Sequence, residues 1–372
     1  MILTPSPELS VVVPTFNERE NIQELVNRLA ETLQAIRWEV IFVDDDSPDG
    51  TAALVRSLAQ RDPRVRIIHR IGRRGLSTAC VEGMLASSAP LLAVMDADLQ
   101  HDERILPAML RAVKDDGYDI AVGSRYVAGG SLGEWGEERQ FASQFATRLS
   151  RLVLKAGVKD PMSGFFLLKR EVLEGAVADL SGIGFKIMLD IFASSTKPLR
   201  YIEIPYEFRI RQAGESKLDS AAVWDYLMML LDKSLGRYIP IRFIPFALVG
   251  GAGVFVHLLV LWLVYDLGGY GFTTGQTAAA VIAMTFNFFV NNAVTYRDRQ
   301  LRGWGMLRGW VSFTLACSLG AVANVGIATY AFETQLVGET AWVLSAVAGI
   351  IVGAVWNYAV TSVYTWNKVK GV

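Results

Sequence analysis

Two carboxylates and an amide stand at alternate positions directly after five consecutive apolar residues. The apolar run is 91–95, and the polar side chains after it are Asp96, Asp98 and Gln100. Side chains of an extended chain alternate between two faces, so the sequence predicts that these three point the same way. The ends of strands are where open α/β sheets bind their ligands. Carboxylate and amide oxygens are hard ligands that suit Mg²⁺ or Mn²⁺ bridging a diphosphate. From these residues alone, the alternative is a solvated turn after a buried strand.

Strands and helices alternate in the first part of the chain. Short apolar runs predict strands at 9–13, 38–43, 65–69, 91–95 and 120–122, with helical spacing between them. This alternation is typical of a mostly parallel sheet with helices on both faces. A Gly-x-Gly-x-x-Gly fingerprint after the first strand and a P-loop are both missing from the sequence, whereas acidic residues follow strand after strand. The sequence therefore disfavours a dinucleotide site and predicts that carboxylates hold the sugar and base of a nucleotide.

The composition divides the 372 residues into a charge-rich part and an apolar part. Residues 243–372 carry six Lys and Arg and four Asp and Glu, against 30 and 33 in the first 242 residues. The net charge of −1 and the lack of basic runs argue against a nucleic-acid partner. Cys80 and Cys317 have no metal-ligand spacing, so we interpret both as apolar fillers in a reducing compartment. The length predicts two domains.

Four long uncharged stretches predict an all-α membrane domain with four spans. Each exceeds the roughly 20 residues that cross a bilayer, and they are residues 243–265, 267–296, 309–332 and 340–367. Basic residues follow the second and fourth stretches: Arg297, Arg299, Arg302, Arg308, Lys368 and Lys370. By the positive-inside rule, this distribution predicts a multi-pass integral membrane protein in a lipid bilayer, with the charge-rich part and both termini in the cytoplasm.

A helix is predicted between the two parts. Apolar residues recur at helical spacing from Val223 to Leu235, while Asp225, Asp232 and Lys233 lie elsewhere on the helix. This pattern predicts an amphipathic interfacial helix and linker at 218–242, lying on the membrane surface. A core helix of the charge-rich part is the alternative.

Six ordered sequence blocks resemble the family 2 inverting glycosyltransferases, and within them the dolichol-phosphate (polyprenol-phosphate) mannose synthases. The blocks are VPTFNERENI at 13–22, VDDDSPDGT at 43–51, MDADLQ at 95–100, GSRY at 123–126, DPMSGF at 160–165 and GESKL at 214–218. The apolar part is similar to the GtrA-like membrane domains that accompany such transferases. The resemblance implies a cytosolic GT-A (Rossmann-like) α/β catalytic domain at 1–217 and a GtrA-like transmembrane domain at 243–372.

The resemblance also implies which residues bind the substrates. The family grips the nucleoside at positions that correspond to Pro14, Phe16, Glu18, Val43 and Asp45. It holds the metal and the diphosphate at Asp96, Ala97, Asp98 and Gln100. Positive positions that contact the sugar-diphosphate or the lipid phosphate correspond to Arg125, Lys186, Arg211 and Lys217, and the acceptor phosphate is expected to dock at Arg139 and Ser143. The implied catalytic residues are Asp98, Arg125 and Lys186.

Two positions depart from the family pattern. Phe16 stands where a tyrosine is usual, which removes one hydroxyl near the base. Asp46 stands where glycine is common, which leaves open which of the carboxylates at 44–46 contacts the ribose.

The implied reaction is inverting transfer of mannose from GDP-mannose to dolichyl or polyprenyl phosphate, which yields polyprenyl-phosphate-mannose and GDP. A lipid phosphate has a second pKa of about 6, so it is largely dianionic at neutral pH and attacks without a general base. An obligate protein partner is not evident from the sequence. One alternative is a hexosyltransferase that uses a UDP-sugar. Another is a lipid-carrier flippase with a degenerate transferase domain, against which the presence of Asp96, Asp98, Gln100, Arg125 and Lys217 argues.

Overall fold

The chain forms two compact units, Met1–Arg237 and Tyr238–Val372. The structure is a computed structural model that describes residues 6–131, 145–151, 153–154, 156–209, 220–236, 238–333 and 341–366. The division between the units falls inside the predicted linker at 218–242. The predicted three-part division of the chain stays a prediction.

A seven-stranded sheet forms the centre of the first unit. Its strands are β1 (Leu9–Thr15), β2 (Trp38–Asp44), β3 (Val65–His69), β4 (Leu91–Val94), β5 (Ile120–Ser124), β6 (Phe166–Lys169) and β7 (Tyr201–Pro205). They are arranged in the order β3-β2-β1-β4-β6-β5-β7. β6 runs antiparallel to β4 and β5, and the other neighbouring pairs are parallel. The prediction of a mostly parallel sheet is confirmed.

Helices in this unit connect the strands and cover the sheet. They are α1 (Arg19–Thr32), α2 (Thr51–Ala59), α3 (Leu76–Ala86), α4 (Leu106–Lys114), α5 (Arg170–Ala176), α6 (Ile187–Ser194) and α7 (Ser220–Leu235). A short 3₁₀ turn, Glu103–Ile105, leads into α4.

Alternate residues of the strands pack into two hydrophobic cores. Val11 and Val40 belong to one core, whereas Val12 and Ile41 belong to the other. Because helices cover both faces, β2 is buried along its whole length, and its centre, residues 40–43, is apolar on both faces. Polar functional groups are therefore placed where the strands end.

One side of helix α7 packs against the rest of the first unit. Tyr226, Met229 and Leu230 are buried there in a cluster with Leu189 of α6 and with Leu154 and Met162. Val223 and Leu227 on the same helix are exposed. α7 is therefore partly a core helix of this unit, and its predicted position on a membrane surface stays a prediction.

The second unit is helical in its described residues. It contains α8 (Phe243–Leu261), α9 (Phe272–Val290), α10 (Trp304–Glu333) and α11 (Ala341–Tyr364). π-helical turns extend α8 to Leu267 and α9 to Thr295. By length and composition, two helical stretches of the described residues are able to cross a membrane: Phe243–Leu267 and Phe272–Thr295.

A glycine packs against an asparagine in each of the helix pairs α8–α9 and α10–α11. A Cβ on Gly253 would collide with the Asn287 side chain, and a Cβ on Gly320 would collide with Asn357. The segments 286–296 and 356–366 have the same residue at three of their eleven positions, and Asn287 and Asn357 are one of these pairs. Their last residues, Tyr296 and Trp366, stack with ring centroids 4.1 Å apart. Both helix pairs therefore use the same kind of glycine–asparagine contact.

Candidate active site

The predicted metal ligands lie on the turn that follows β4. This strand ends at Val94, and the residues from Asp96 to Gln100 bend rather than continue as extended chain. Leu99 has a φ of 61°, which is unusual for a buried leucine. The strand is therefore one residue shorter than predicted, and the left-handed φ of Leu99 interrupts the extended backbone from which the alternation of side chains was inferred. That Asp96, Asp98 and Gln100 face the same way stays a prediction.

Hydrogen bonds fix Asp98 and Gln100 within this turn, where both are buried. Asp98 Oδ1 accepts the Gln100 backbone N–H at 3.1 Å. The Gln100 Nε2 donates to the Arg209 carbonyl oxygen at 2.9 Å, and the Arg209 N–H donates to the Gln100 carbonyl oxygen at 2.9 Å. Because its amide nitrogen is held by Arg209, Gln100 has its side-chain oxygen left to ligate a cation.

Asp96 is oriented by a buried histidine. The Asp96 backbone N–H donates to His101 Nδ1 at 3.1 Å, and the His101 ring stacks on Phe165 at 5.2 Å between centroids. Burial lowers the pKa of His101 from 6.5 to about 4, so the ring is neutral and its Nε2 carries the proton. A Cβ on Gly164 would lie only 3.2 Å from Asp96 Oδ2, so glycine there leaves room for the carboxylate.

The chemistry of these donors fits a hard divalent cation. Asp96 and Asp98 supply carboxylate oxygens and Gln100 supplies an amide oxygen. Within the described part of the chain, no three His, Cys, Asp or Glu side chains lie close enough together to hold a metal. The predicted set of ligands differs from such a cluster because its third donor is the amide oxygen of Gln100. Metal binding at these residues stays a prediction.

Arg125 is held by a buried ion pair directly after β5. Its Nε and Nη2 each donate to a carboxylate oxygen of Asp160 at 2.8 Å, and its backbone N–H donates to Asp160 Oδ2 at 3.1 Å. Asp160 is fully buried and the Arg125 side chain is 8% exposed. Burial acts to lower the pKa of Arg125, but the Asp160 carboxylate outweighs it and raises that pKa above its ordinary value. Arg125 is therefore a fixed cation.

Glu203 on β7 supports this ion pair from the other side of Asp160. Its Oε1 accepts the Asp160 N–H at 3.0 Å and the Ser124 hydroxyl at 2.8 Å. Its Oε2 accepts the Lys159 N–H at 2.9 Å. Glu203 thereby holds the end of β5 and the loop that carries Asp160 in one arrangement.

Lys186 lies directly before α6, where its Nζ donates to the Met162 carbonyl oxygen at 2.9 Å. The charges of Asp98, Arg125 and Lys186 all act on the ring of His101. All three predicted catalytic residues thus influence the pKa of this buried imidazole, and their catalytic roles stay predictions.

Asp45, predicted to grip the nucleoside, is buried just after β2. Its Oδ1 accepts from Arg70 Nη1 at 2.8 Å, and its Oδ2 accepts the Gly75 N–H at 2.7 Å. Burial raises the pKa of Asp45, although Gly75 and Arg70 act to lower it. Arg70 also donates to Thr78 Oγ1 at 2.6 Å. Asp45 therefore orders the loop that runs into α3.

Asp46 has a φ of 58°, in the left-handed region that glycine adopts most readily. Its Oδ2 accepts the Gly72 N–H at 3.1 Å, and its Oδ1 lies 3.1 Å from His69 Nε2. The hydrogen bond from Gly72, followed by that from His69, lowers the pKa of Asp46. Asp46 thus tolerates the left-handed conformation and uses its carboxylate to hold the same loop.

The other predicted nucleoside residues surround the ends of β1 and β2. Pro14 pairs in register with Val43, which is buried, as is Ala97 on the turn after β4. The Glu18 carboxylate accepts from Asn21 Nδ2 at 2.9 Å. Their roles in binding the nucleoside stay predictions.

Four predicted residues lie outside the described residues: Arg139, Ser143, Arg211 and Lys217. Their roles stay predictions.

Comparison with known proteins shows the family to which the chain belongs. A family model described as glycosyl transferase family 2 matches residues 10–176, and one described as the GtrA/DPMS transmembrane domain matches residues 245–366. The dolichol-phosphate mannosyltransferase of Pyrococcus furiosus is 35% identical over 361 residues, which cover 96% of this chain and 99% of that protein. The chain belongs to the dolichol-phosphate mannosyltransferase family. It is a glycosyltransferase with an attached membrane domain, and the predicted enzyme class is confirmed.

Other relatives match a smaller share of the chain. The dolichol-phosphate mannosyltransferase of Saccharomyces cerevisiae is 37% identical and covers 60% of this chain and 86% of its own length. The polyprenol monophosphomannose synthase of Mycolicibacterium smegmatis is 36% identical and covers 59% and 84%. Among solved structures, glucosyl-3-phosphoglycerate synthase from Mycobacterium tuberculosis in complex with phosphoglyceric acid covers 61% of this chain and 80% of that chain, at 19% identity and a TM-score of 0.45.

Sequence reasoning missed several residues that shape the site. Arg70 binds Asp45, and the Arg74 guanidinium lies 4.2 Å from the ring centroid of Phe16. Both arginines follow β3, and a basic cluster at 70–74 after a strand was the available signal. The bond between Gln100 and Arg209 joins segments far apart in the chain, so spacing offers no signal for it.

Proposed function

We propose that the chain transfers mannose from GDP-mannose to dolichyl or polyprenyl phosphate with inversion at the anomeric carbon. The observation that carries this proposal is the turn after β4, where Asp98 and Gln100 are locked in place beside Asp96. The family of the chain, named for dolichol-phosphate mannosyl transfer, supports the same reaction class.

The donor diphosphate would be bound at this turn. Asp96, Asp98 and Gln100 would hold Mg²⁺ or Mn²⁺, which supplies Lewis-acid stabilisation of the departing diphosphate. Ala97 is buried between the two carboxylates and lets the backbone turn closely. Pro14, Phe16, Glu18, Val43 and Asp45 would hold the nucleoside next to it.

The acceptor phosphate would be brought to the sugar by fixed cations. Arg125 and Lys186 would offset the repulsion between the acceptor and donor anions, because each is already held in place by Asp160 or by Met162. Arg139, Ser143, Arg211 and Lys217 would complete the acceptor site. A dianionic phosphate oxygen attacks directly, which inverts the configuration and requires no general base; the neutral His101 is accordingly left to position Asp96.

The membrane part would anchor the enzyme where its lipid acceptor resides. We propose four spans, with the catalytic domain and both termini in the cytoplasm, on the strength of the four uncharged stretches and the basic residues that flank them. The two apolar helices Phe243–Leu267 and Phe272–Thr295 support the first two spans.

A donor panel tests the proposal. The full chain in lipid vesicles with polyprenyl phosphate is given labelled GDP-mannose, UDP-glucose or UDP-galactose, and sugar on the lipid is measured. We expect transfer from GDP-mannose and its loss in Asp98→Asn, since that change keeps the shape of the side chain and removes its charge. Asp62→Asn, at an exposed pair with Arg64, is the matched control. Preferential transfer from a UDP-sugar contradicts the donor assignment, and full activity of Asp98→Asn contradicts the site.

A further inference from the structure

A buried carboxylate on α6 holds the segment that leads to Lys186. Asp190 is fully buried, and its Oδ2 accepts both the backbone N–H of Ser181 at 3.0 Å and the Ser181 hydroxyl at 2.7 Å. The Ser181 hydroxyl oxygen in turn accepts the Ile183 N–H at 3.2 Å. One carboxylate therefore fixes the start of the segment 181–186.

Lys233 on α7 is the counter-ion of this carboxylate. Its Nζ lies 2.7 Å from Asp190 Oδ1, and the Lys233 side chain is 9% exposed. The same Nζ donates to the Asp179 carbonyl oxygen at 2.6 Å and to the Ser194 hydroxyl at 2.8 Å. These three contacts tie the C-terminal half of α7 to Asp179, which precedes the segment 181–186, and to Asp190 and Ser194 on α6, which follows it.

The segment between these anchors contains two glycines, one of which lies close to α7. Gly182 and Gly184 have φ values of 63° and 73°, so the backbone takes two left-handed steps. A Cβ on Gly184 would lie 3.3 Å from Cβ of Asp225 on α7. Lys186 follows two residues later and caps α6, with its Nζ on Met162. The segment therefore passes close to α7 two residues before Lys186.

We propose that Asp190 and Lys233 are positioning residues for the transfer reaction: their ion pair lets α7, the helix before the membrane unit in the chain, set the position of Lys186. This inference rests on the proposed function of Lys186 in binding phosphate. Neither Asp190 nor Lys233 touches substrate; both act through the segment 181–186.

The chemistry of the pair favours positioning over simple stabilisation. Desolvating two charges costs nearly as much as their attraction returns, so a buried ion pair adds little stability compared with apolar side chains of the same size. Hydrogen bonds from the pair, however, have fixed directions, and those of Asp190 go to Ser181 at the start of the segment. An apolar pair would fill the same space without holding Ser181.

The test compares Lys233→Met, Asp190→Asn and the double variant with the wild type in the full-length, lipid-embedded enzyme. The double variant removes both charges, so neither is left buried alone if a single variant fails to fold. Lys169→Met is the matched control, because it breaks another Lys–Asp pair, with Asp119 at 3.1 Å. Lys186→Met shows what loss of the positioned lysine does to transfer.

Two readouts are needed, and both must respond. Amide hydrogen exchange at Ser181 and Ile183 is expected to accelerate in the double variant and to stay unchanged in the control. The kcat/KM for sugar transfer is expected to fall by about tenfold or more, as displacement of a substrate-positioning group by a fraction of an ångström does. A purely structural pair would lower the melting temperature and leave kcat/KM unchanged, even if exchange at Ser181, which bonds Asp190 directly, accelerates.

Unchanged exchange at Ser181 and Ile183 in the double variant overturns the inference. Accelerated exchange with normal transfer also overturns it when Lys186→Met is impaired, because the lysine would then be positioned without the pair. If Lys186→Met itself transfers normally, the proposed role of Lys186 fails, and accelerated exchange still supports the positioning of the segment by α7.

Discussion

Arg125 and Asp160 form a two-point ion pair with both N–O distances at 2.8 Å. Asp160 also accepts the backbone N–H of Arg125, so one carboxylate determines both the backbone and the guanidinium of the cation. Glu203 holds the backbone of Asp160 in turn. A cation fixed before substrate binds stabilises developing charge without reorganising, which is the property that transfer between two phosphates requires.

Asp160→Asn is expected to destabilise the protein and to reduce transfer strongly. Removal of one partner leaves the buried Arg125 charge uncompensated, which costs about 3–5 kcal/mol. Transfer is expected to fall about 100-fold, as for loss of one preorganised electrostatic group. Thermal melting and single-turnover transfer measure the two effects. The exposed pair Arg64–Asp62 provides the control: Asp62→Asn is expected to change stability by less than about 1 kcal/mol. Equal effects of the two substitutions would contradict the role of burial.

Gln100→Ala is expected to raise the metal concentration that gives half-maximal transfer by at least about tenfold, because the cation loses an amide oxygen. The Mg²⁺ and Mn²⁺ dependence of transfer measures this change. Gln60→Ala, on an exposed residue after α2, serves as the matched control and is expected to leave the dependence as it is. An identical metal dependence of Gln100→Ala and wild type would refute the assignment of Gln100 as a ligand.

Asp49→Asn is expected to remove a pH-dependent part of the stability. Asp49 Oδ1 accepts from the Thr51 N–H at 2.9 Å and its Oδ2 accepts the Arg19 N–H at 3.2 Å, which ties the starts of α2 and α1 together. Burial acts to raise the pKa of Asp49, but these hydrogen bonds, those from Thr51 foremost, hold it below its ordinary value. A lowered folded pKa means stability that is complete above the unfolded pKa of about 3.9 and is lost as pH falls through the folded pKa.

The melting temperatures of Asp49→Asn and wild type are therefore expected to differ at pH 7, by the equivalent of about 1 kcal/mol, and to converge as the pH falls through the lowered folded pKa of Asp49. Asp116→Asn on the exposed surface is the control. A difference that does not narrow at any acidic pH at which the protein stays folded would show that the carboxylate charge is not what stabilises this junction.

Gly253→Ala and Gly250→Ala are expected to have opposite effects, although the substitution is the same and both glycines lie on α8. A Cβ on Gly253 would collide with Asn287 of α9, whereas a Cβ on Gly250 meets nothing within 4 Å. Alanine favours helix over glycine by about 1 kcal/mol, so Gly250→Ala is expected to be neutral or stabilising. Gly253→Ala is expected to lower the melting temperature in detergent. Adding Asn287→Ala to this variant is expected to restore the melting temperature, because it removes the side chain with which the new Cβ collides. Equal melting temperatures of the two glycine variants would disprove close packing at Gly253.

Local patterns in the sequence determined the broad organisation of the protein. Apolar β-branched runs such as 38–43 are buried on both faces, so the strands and the mostly parallel sheet follow from hydrophobicity alone. The carboxylates after β2 and β4 could be located because polar groups are excluded from the interior of such a sheet and collect at its edge. The uncharged stretches from Phe243 onward identified the membrane part, because each is long enough to span a bilayer and contains no charged residue that would have to lie in lipid.

Tertiary structure alone decided how the side chains of the site are held. Alternation along an extended chain was the basis for grouping Asp96, Asp98 and Gln100, yet Leu99 has a left-handed φ. It is Arg209, more than a hundred residues later, that holds Gln100. Asp160 and Glu203 act on Arg125 from separate loops and strands in the same way. Hydrogen bonds of this kind depend on atomic positions that only the folded chain defines, whereas burial depends on residue type, which the sequence states directly.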